Sequence, residues 1–116
     1  MISNETDAAE SMRQMLQADL RSAMKGRAAS EIGVLRGLIA AIDNAGAAPL
    51  SARSGPTQSE VERRRLSAED VQQILRREYE VRQTAAVEFT RLGLVVEAER
   101  SNREMAVVSR YLTSRR

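Results

Sequence analysis

Residues 66–93 read LSAEDVQQILRREYEVRQTAAVEFTRLG, and this stretch decides the fold. Ser67 can cap a helix, Asp70 stands at the acidic position of a capping box, and Leu66 can staple onto Val71 across the cap. Beyond the start signal, Val71, Ile74, Leu75, Tyr79, Ala85, Ala86 and Phe89 recur at helical spacing and form one apolar stripe. The stripe runs to about Leu92, and Gly93 supplies the residue that most readily takes a left-handed turn. The predicted element is a long amphipathic helix.

Working outward, another helix follows at once, with Leu94, Ala98, Met105, Val108 and Leu112 expected on its inner side. Upstream, Met12, Met15, Leu16, Leu20 and Ala23 place an apolar face on a helix over about 8–25, which Gly26 ends. Ile32, Leu35, Leu38, Ile39 and Ile42 do the same for a helix over about 29–44, stopped by Asn44, Ala45 and Gly46. Between 45 and 66 the periodicity fails, and Pro49, Pro56, Gly46, Gly55 and scattered serines mark a long connection. The expected architecture is all-α: hairpins over 8–44 and 67–113, packed as a small four-helix bundle in one domain over 1–116.

Composition narrows the chemistry. With 116 residues the chain can bury one core. Neither cysteine nor histidine is present, so disulfides, thiolate or imidazole metal sites and Ser-His or Cys-His couples are excluded. No cofactor loop of the GxxxxGK[ST] or GxGxxG type occurs, and no acidic loop has calcium spacing. No apolar run approaches the roughly 18 residues of a membrane span, and the N-terminus is acidic where a signal peptide would be basic, so a cytosolic location is expected. The 18 basic and 16 acidic side chains leave a net charge of only +2.

Arginines Arg63, Arg64, Arg65, Arg76 and Arg77 could line phosphates along one edge of the third helix. Glu60, Glu62, Glu69, Asp70 and Glu80 dilute that edge, and only Tyr79, Phe89 and Tyr111 are aromatic, which disfavours a base-stacking platform. A solvated charged face is therefore the plainer reading of the cluster.

A second group of polar residues sits where apolar ones are expected. At about 100° per residue, Asp19 falls within the first helix's apolar face, Glu78 and Arg82 fall within the third's, and Arg36 lies at the edge of the second's. One reading holds Asp19 and Glu78 as an acid-base pair among arginines. The other makes these four residues a salt-bridge network that registers the two hairpins. The second is preferred, because no nucleophile or cofactor set accompanies the carboxylates.

The stretch DLRSAMKGRAASEIGVLRGLIAAIDNA (19–45) resembles the opening of the GatB/YqeY family, in which an Asp, Ala-Met-Lys, Leu-Arg and Ile-x-Asn recur in this order. Residues 66–93, followed by EAERSNREMAVVSRYL (97–112), resemble that family's second hairpin, and the 45–66 connection is similar to short actinobacterial members. The resemblance implies a helical domain related to the tail of the B subunit of the glutamine-dependent aminoacyl-tRNA amidotransferase, where the tail helps hold tRNA and the chemistry lies elsewhere. It implies a non-catalytic adaptor contacting tRNA or a translation-associated protein, with no cofactor. Transfer by family alone would attach carbon-nitrogen ligase activity with glutamine as amido-N-donor, which no residue pattern supports. The alternative is a protein-interaction or homo-oligomerisation module without RNA contact, using the surface of the third and fourth helices.

Three departures from the family pattern bear on this. Thr113 stands where the family has proline and then a second small domain, Leu94 replaces the arginine of a Gly-Arg turn, and the 45–66 connection is long. Asp19, Lys25, Arg36, Glu78 and Arg82 match the family's recurrent polar positions.

Overall fold

The computed structural model describes residues 7–47 and 65–113, which form four helices: α1 (Ala8–Lys25), α2 (Ala29–Ala47), α3 (Ala68–Arg91) and α4 (Val95–Ser109). No strand occurs among the described residues. α2 continues three residues past the expected stop at Asn44, because neighbouring helices provide what local propensity withholds. Gly46 is buried there, so the glycine read as a helix stop lies inside the last turn of α2.

Each boundary has a local cause. Asp7 caps α1 by accepting from the Ala9 N–H at 3.1 Å. At α3 the box forms in both directions: the Asp70 N–H donates to Ser67 Oγ and the Ser67 N–H to Asp70 Oδ2, each at 3.0 Å. Leu66 and Val71 are both buried in the core, as the staple requires.

The two hairpin turns share one geometry. After α3, the Leu94 N–H reaches the Phe89 carbonyl and the Gly93 N–H reaches Thr90, with Gly93 left-handed at φ +75°. After α1, the Ala28 N–H reaches Ala23 and the Arg27 N–H reaches Met24, but the left-handed residue is Arg27 at φ +56°. Both are Schellman turns. Gly26 sits one position too early to serve as the left-handed residue, so arginine carries that strain.

Leu16, Leu35, Leu38, Ile42, Leu75 and Val108 form the fully buried centre. Burying each such side chain is worth about 1.5–3 kcal/mol relative to exposure. α2 and α3 each pack against all three other helices, while α1 and α4 flank them. Two residues expected inside are outside: Met15 is 50% exposed and Leu94 is 41% exposed. Leu94 is the N-cap residue of α4, ahead of the inward-facing turns, while Ser101 and Val107 occupy buried positions that its apolar spacing does not mark.

The first hairpin covers only part of the second. Among residues 87–97 all but Phe89 are exposed, so the far end of the α3/α4 hairpin stands clear of α1 and α2 as an arm. The long dimension of the molecule is 51 Å against 32 Å for the other two.

Candidate functional site

The arginine edge is only partly described, since Arg63 and Arg64 lie outside the described residues. Arg65 is exposed and shares a cleft with Asp7, Glu10, Arg13 and Asp43. Arg76 lies 3.8 Å from Glu69. Arg77 is exposed and borders grooves that also contain Asp70, Glu78 and Glu80. Every described cation of this edge thus has carboxylates beside it, which weakens its field toward a polyanion.

The inward polar residues form two separate arrangements. Glu78 and Arg82, one turn apart on α3, are paired: Arg82 Nη1 donates to Glu78 Oε1 and to the Glu78 carbonyl, both at 2.9 Å. From α4, Glu104 Oε1 approaches Arg82 Nε at 3.3 Å. That nitrogen is buried without a hydrogen bond of acceptable angle, so Glu104 holds it by charge alone. Arg82 reaches across to α2, where a β-carbon on Gly37 would lie 3.9 Å from Nη2. One guanidinium therefore serves α3 and α4 while lying against α2.

Asp19 does not join this cluster. Its carboxylate accepts from the Tyr111 hydroxyl, a contact spanning 92 positions of sequence. Burial, then the hydrogen bond and charge of Asp19, push the Tyr111 phenol up to about 12 from 10.0, with Arg110 opposing. Arg36 is exposed, because its position on α2 turns outward beside the buried Leu35. The four-residue network expected from spacing is thus a Glu78–Arg82–Glu104 triad and a distant Asp19–Tyr111 pair, with Arg36 in neither. The two carboxylates weighed as an acid-base pair have different partners, Asp19 pairing with Tyr111 and Glu78 with Arg82.

The segment after α4 gathers further contacts. Arg110 pairs with Glu31 of α2, and Gln72 of α3 donates to the Tyr111 carbonyl at 3.1 Å while accepting from the Thr113 N–H at 2.9 Å. With Tyr111 on Asp19 of α1, residues 110–113 are tied to α1, α2 and α3. Gln72, Glu104 and Tyr111 were not singled out from sequence as polar partners. Glu104 had a signal: it lies within about 60° of both Ser101 and Val108 around the helix, on the same inner side. Gln72 had none.

The surface feature that periodicity did not reveal is the arm's end. Val87, Leu92, Leu94, Val95 and Val96 are 41–68% exposed there. Among the described residues no group of three or more Asp or Glu side chains could hold a metal ion, and no helix is long and apolar enough to cross a membrane.

No curated protein and no solved structure matches the chain significantly. The model of one family, described as Yqey-like protein, matches residues 13–115, which include all of α2, α3 and α4 and most of α1. This chain belongs to the YqeY-like family.

Proposed function

We propose that this chain is a non-catalytic adaptor domain that contacts tRNA or a translation-associated protein. The observation that carries the reading is the commitment of its inward ionisable groups: Asp19 to Tyr111, and Glu78 and Glu104 to Arg82. Groups held this way tie helices to one another, and no nucleophile or cofactor loop accompanies them. Chemistry is thereby disfavoured and binding is left. The tRNA component of the reading is supported by the resemblance to the amidotransferase tail and by the exposed Arg65 and Arg77.

Fluorescence anisotropy with labelled tRNA tests this. Binding is expected to weaken steeply with salt and to fall when Arg63, Arg64, Arg65, Arg76 and Arg77 become glutamine. Full binding by that variant would remove the arginine edge from the proposal, and no binding at low salt would remove tRNA. A second reading, a protein-interaction or homo-oligomerisation module without RNA contact, is favoured by one observation: the exposed aliphatic end of the α3/α4 arm. Pull-down from cell extract with and without ribonuclease separates the two.

A further inference from the structure

We infer that the outer face of the α1/α2 hairpin, at its turn end, is a surface for the phosphate backbone of a base-paired nucleic acid stem, an inference that rests on the RNA-contact part of the reading above. Residues 20–42 hold four cations, Arg21, Lys25, Arg27 and Arg36, and one acid, Glu31. All four cations are exposed, and none is ion-paired among the described residues. The acids that could offset them are engaged elsewhere: Glu31 pairs with Arg110, and Asp19 accepts from Tyr111. On the α3 edge, by contrast, carboxylates flank each described cation.

Helical geometry gathers these charges. At about 100° per residue, Arg21 and Lys25 lie about 40° apart, on the side of α1 away from the buried Leu16 and Ala23. Arg36 lies within about 60° of Gly33, on the side of α2 away from the buried Leu38 and Ile42. The Arg13–Asp43 pair at 2.9 Å sets the hairpin's register, which brings Arg36 level with the turn of α1 that holds Arg21. The end of α1 and the start of α2 lie side by side, so their partial charges cancel and the side chains set the field.

Two residues on this hairpin break local rules that its own packing does not require. Arg27 is the only non-glycine residue at positive φ among the described residues, at +56°, where glycine would be unstrained. Gly33 lies inside a helix, where glycine is disfavoured, yet a β-carbon there would meet nothing within 4 Å. Such departures gather at functional sites. Here they supply a charge at the turn and room for a backbone to approach.

Composition selects the occupant. Among the cations the exposed residues Ser22, Ala29, Ser30 and Gly33 are small, and Met24 is the one large apolar side chain exposed within residues 20–42. A membrane-bound helix or a protein interface would present an apolar core. Neither α1 nor α2 contains an aromatic residue on which an unpaired base could stack. The fit is to the phosphates of a stem whose bases are paired inward.

Fluorescence anisotropy on the full chain with labelled tRNA, an RNA duplex, a DNA duplex and single-stranded RNA tests this. The triple variant Arg21→Gln, Lys25→Gln and Arg36→Gln keeps good helix formers at exposed positions, and circular dichroism verifies its fold. Its duplex binding is expected to weaken at least tenfold at low salt, with the slope of log K against log salt falling by about two to three. Arg27→Gly is expected to melt higher yet bind more weakly, an opposition that a purely structural role would not give. Equal affinity for the two duplexes assigns the contact to phosphate alone, and a preference for RNA adds the 2′-hydroxyls. If the wild type binds RNA and the folded triple variant binds undiminished, the inference falls and the RNA reading stands. A wild type that binds no RNA at low salt removes both. Preference for single-stranded RNA, or equal affinity for vesicles of phosphatidylserine and phosphatidylcholine, overturns the assigned occupant.

Discussion

Replacing Arg82 with leucine removes the cation that pairs with both Glu78 and Glu104. The wild-type pair distances are 2.9 and 3.3 Å, and the side chains of Arg82, Glu78 and Glu104 are 17%, 28% and 27% exposed. Breaking a fully buried pair from one side costs about 3–5 kcal/mol, because the remaining charge is stranded. The two carboxylates here keep about a quarter of their surface in water, which lowers the expected loss to about 2–3 kcal/mol. At about 4–5 °C per kcal/mol for a domain near 100 residues, the melting temperature should fall by about 10 °C. The comparison is Arg91→Leu, which breaks an exposed pair with Glu88 and is expected to shift melting by less than about 3 °C. Adding Glu78→Gln and Glu104→Gln to Arg82→Leu should restore more than half of the loss, since the stranded charges are then gone. Thermal denaturation followed by circular dichroism reads all three variants. Equal melting of Arg82→Leu and Arg91→Leu would refute the reasoning, and an unrestored triple variant would show that lost packing, not charge, dominates.

Two further outcomes are expected. Tyr111 is held protonated to about 12 when folded against 10.0 for an unperturbed phenol, so the stability it lends is complete below pH 10 and is lost as pH rises toward 12. Urea denaturation of the wild type should therefore decline more steeply over that window than that of Tyr111→Phe, and parallel curves would contradict the assignment. Ser67→Ala removes the acceptor for the Asp70 N–H and should cost about 1 kcal/mol by the same assay, with Ser67→Asn recovering most of it.

What the sequence disclosed and what it hid differ in range. The start of α3 was legible because Ser67, Asp70 and Leu66 act within one turn, and Gly93 was legible because a Schellman turn needs a left-handed residue at that one place. The inward positions of Asp19, Glu78 and Arg82 were legible from angle alone. Their partners were legible only for Glu78 and Arg82, which share a helix. Tyr111, the partner of Asp19, stands 92 positions away, and periodicity says which face turns inward without saying what meets it. Leu94 and Met15 failed for a related reason: apolar character at helical spacing predicts burial only where another helix is present to do the burying. The exposed arm follows from how far the first hairpin extends over the second, a tertiary quantity absent from any local window.

The ties of residues 110–113 have a kinetic side. Asp19 to Tyr111 and Glu31 to Arg110 close loops spanning 92 and 79 positions, among the most costly closures a chain of this size can make. Each hairpin can form from neighbouring contacts first, so these ties are expected to form after the folding transition state rather than in its nucleus. Interactions made late hold the exit barrier and leave the entry barrier nearly unchanged. The short segment beyond α4 is in that sense expected to act as a latch, its loss speeding unfolding more than it slows folding.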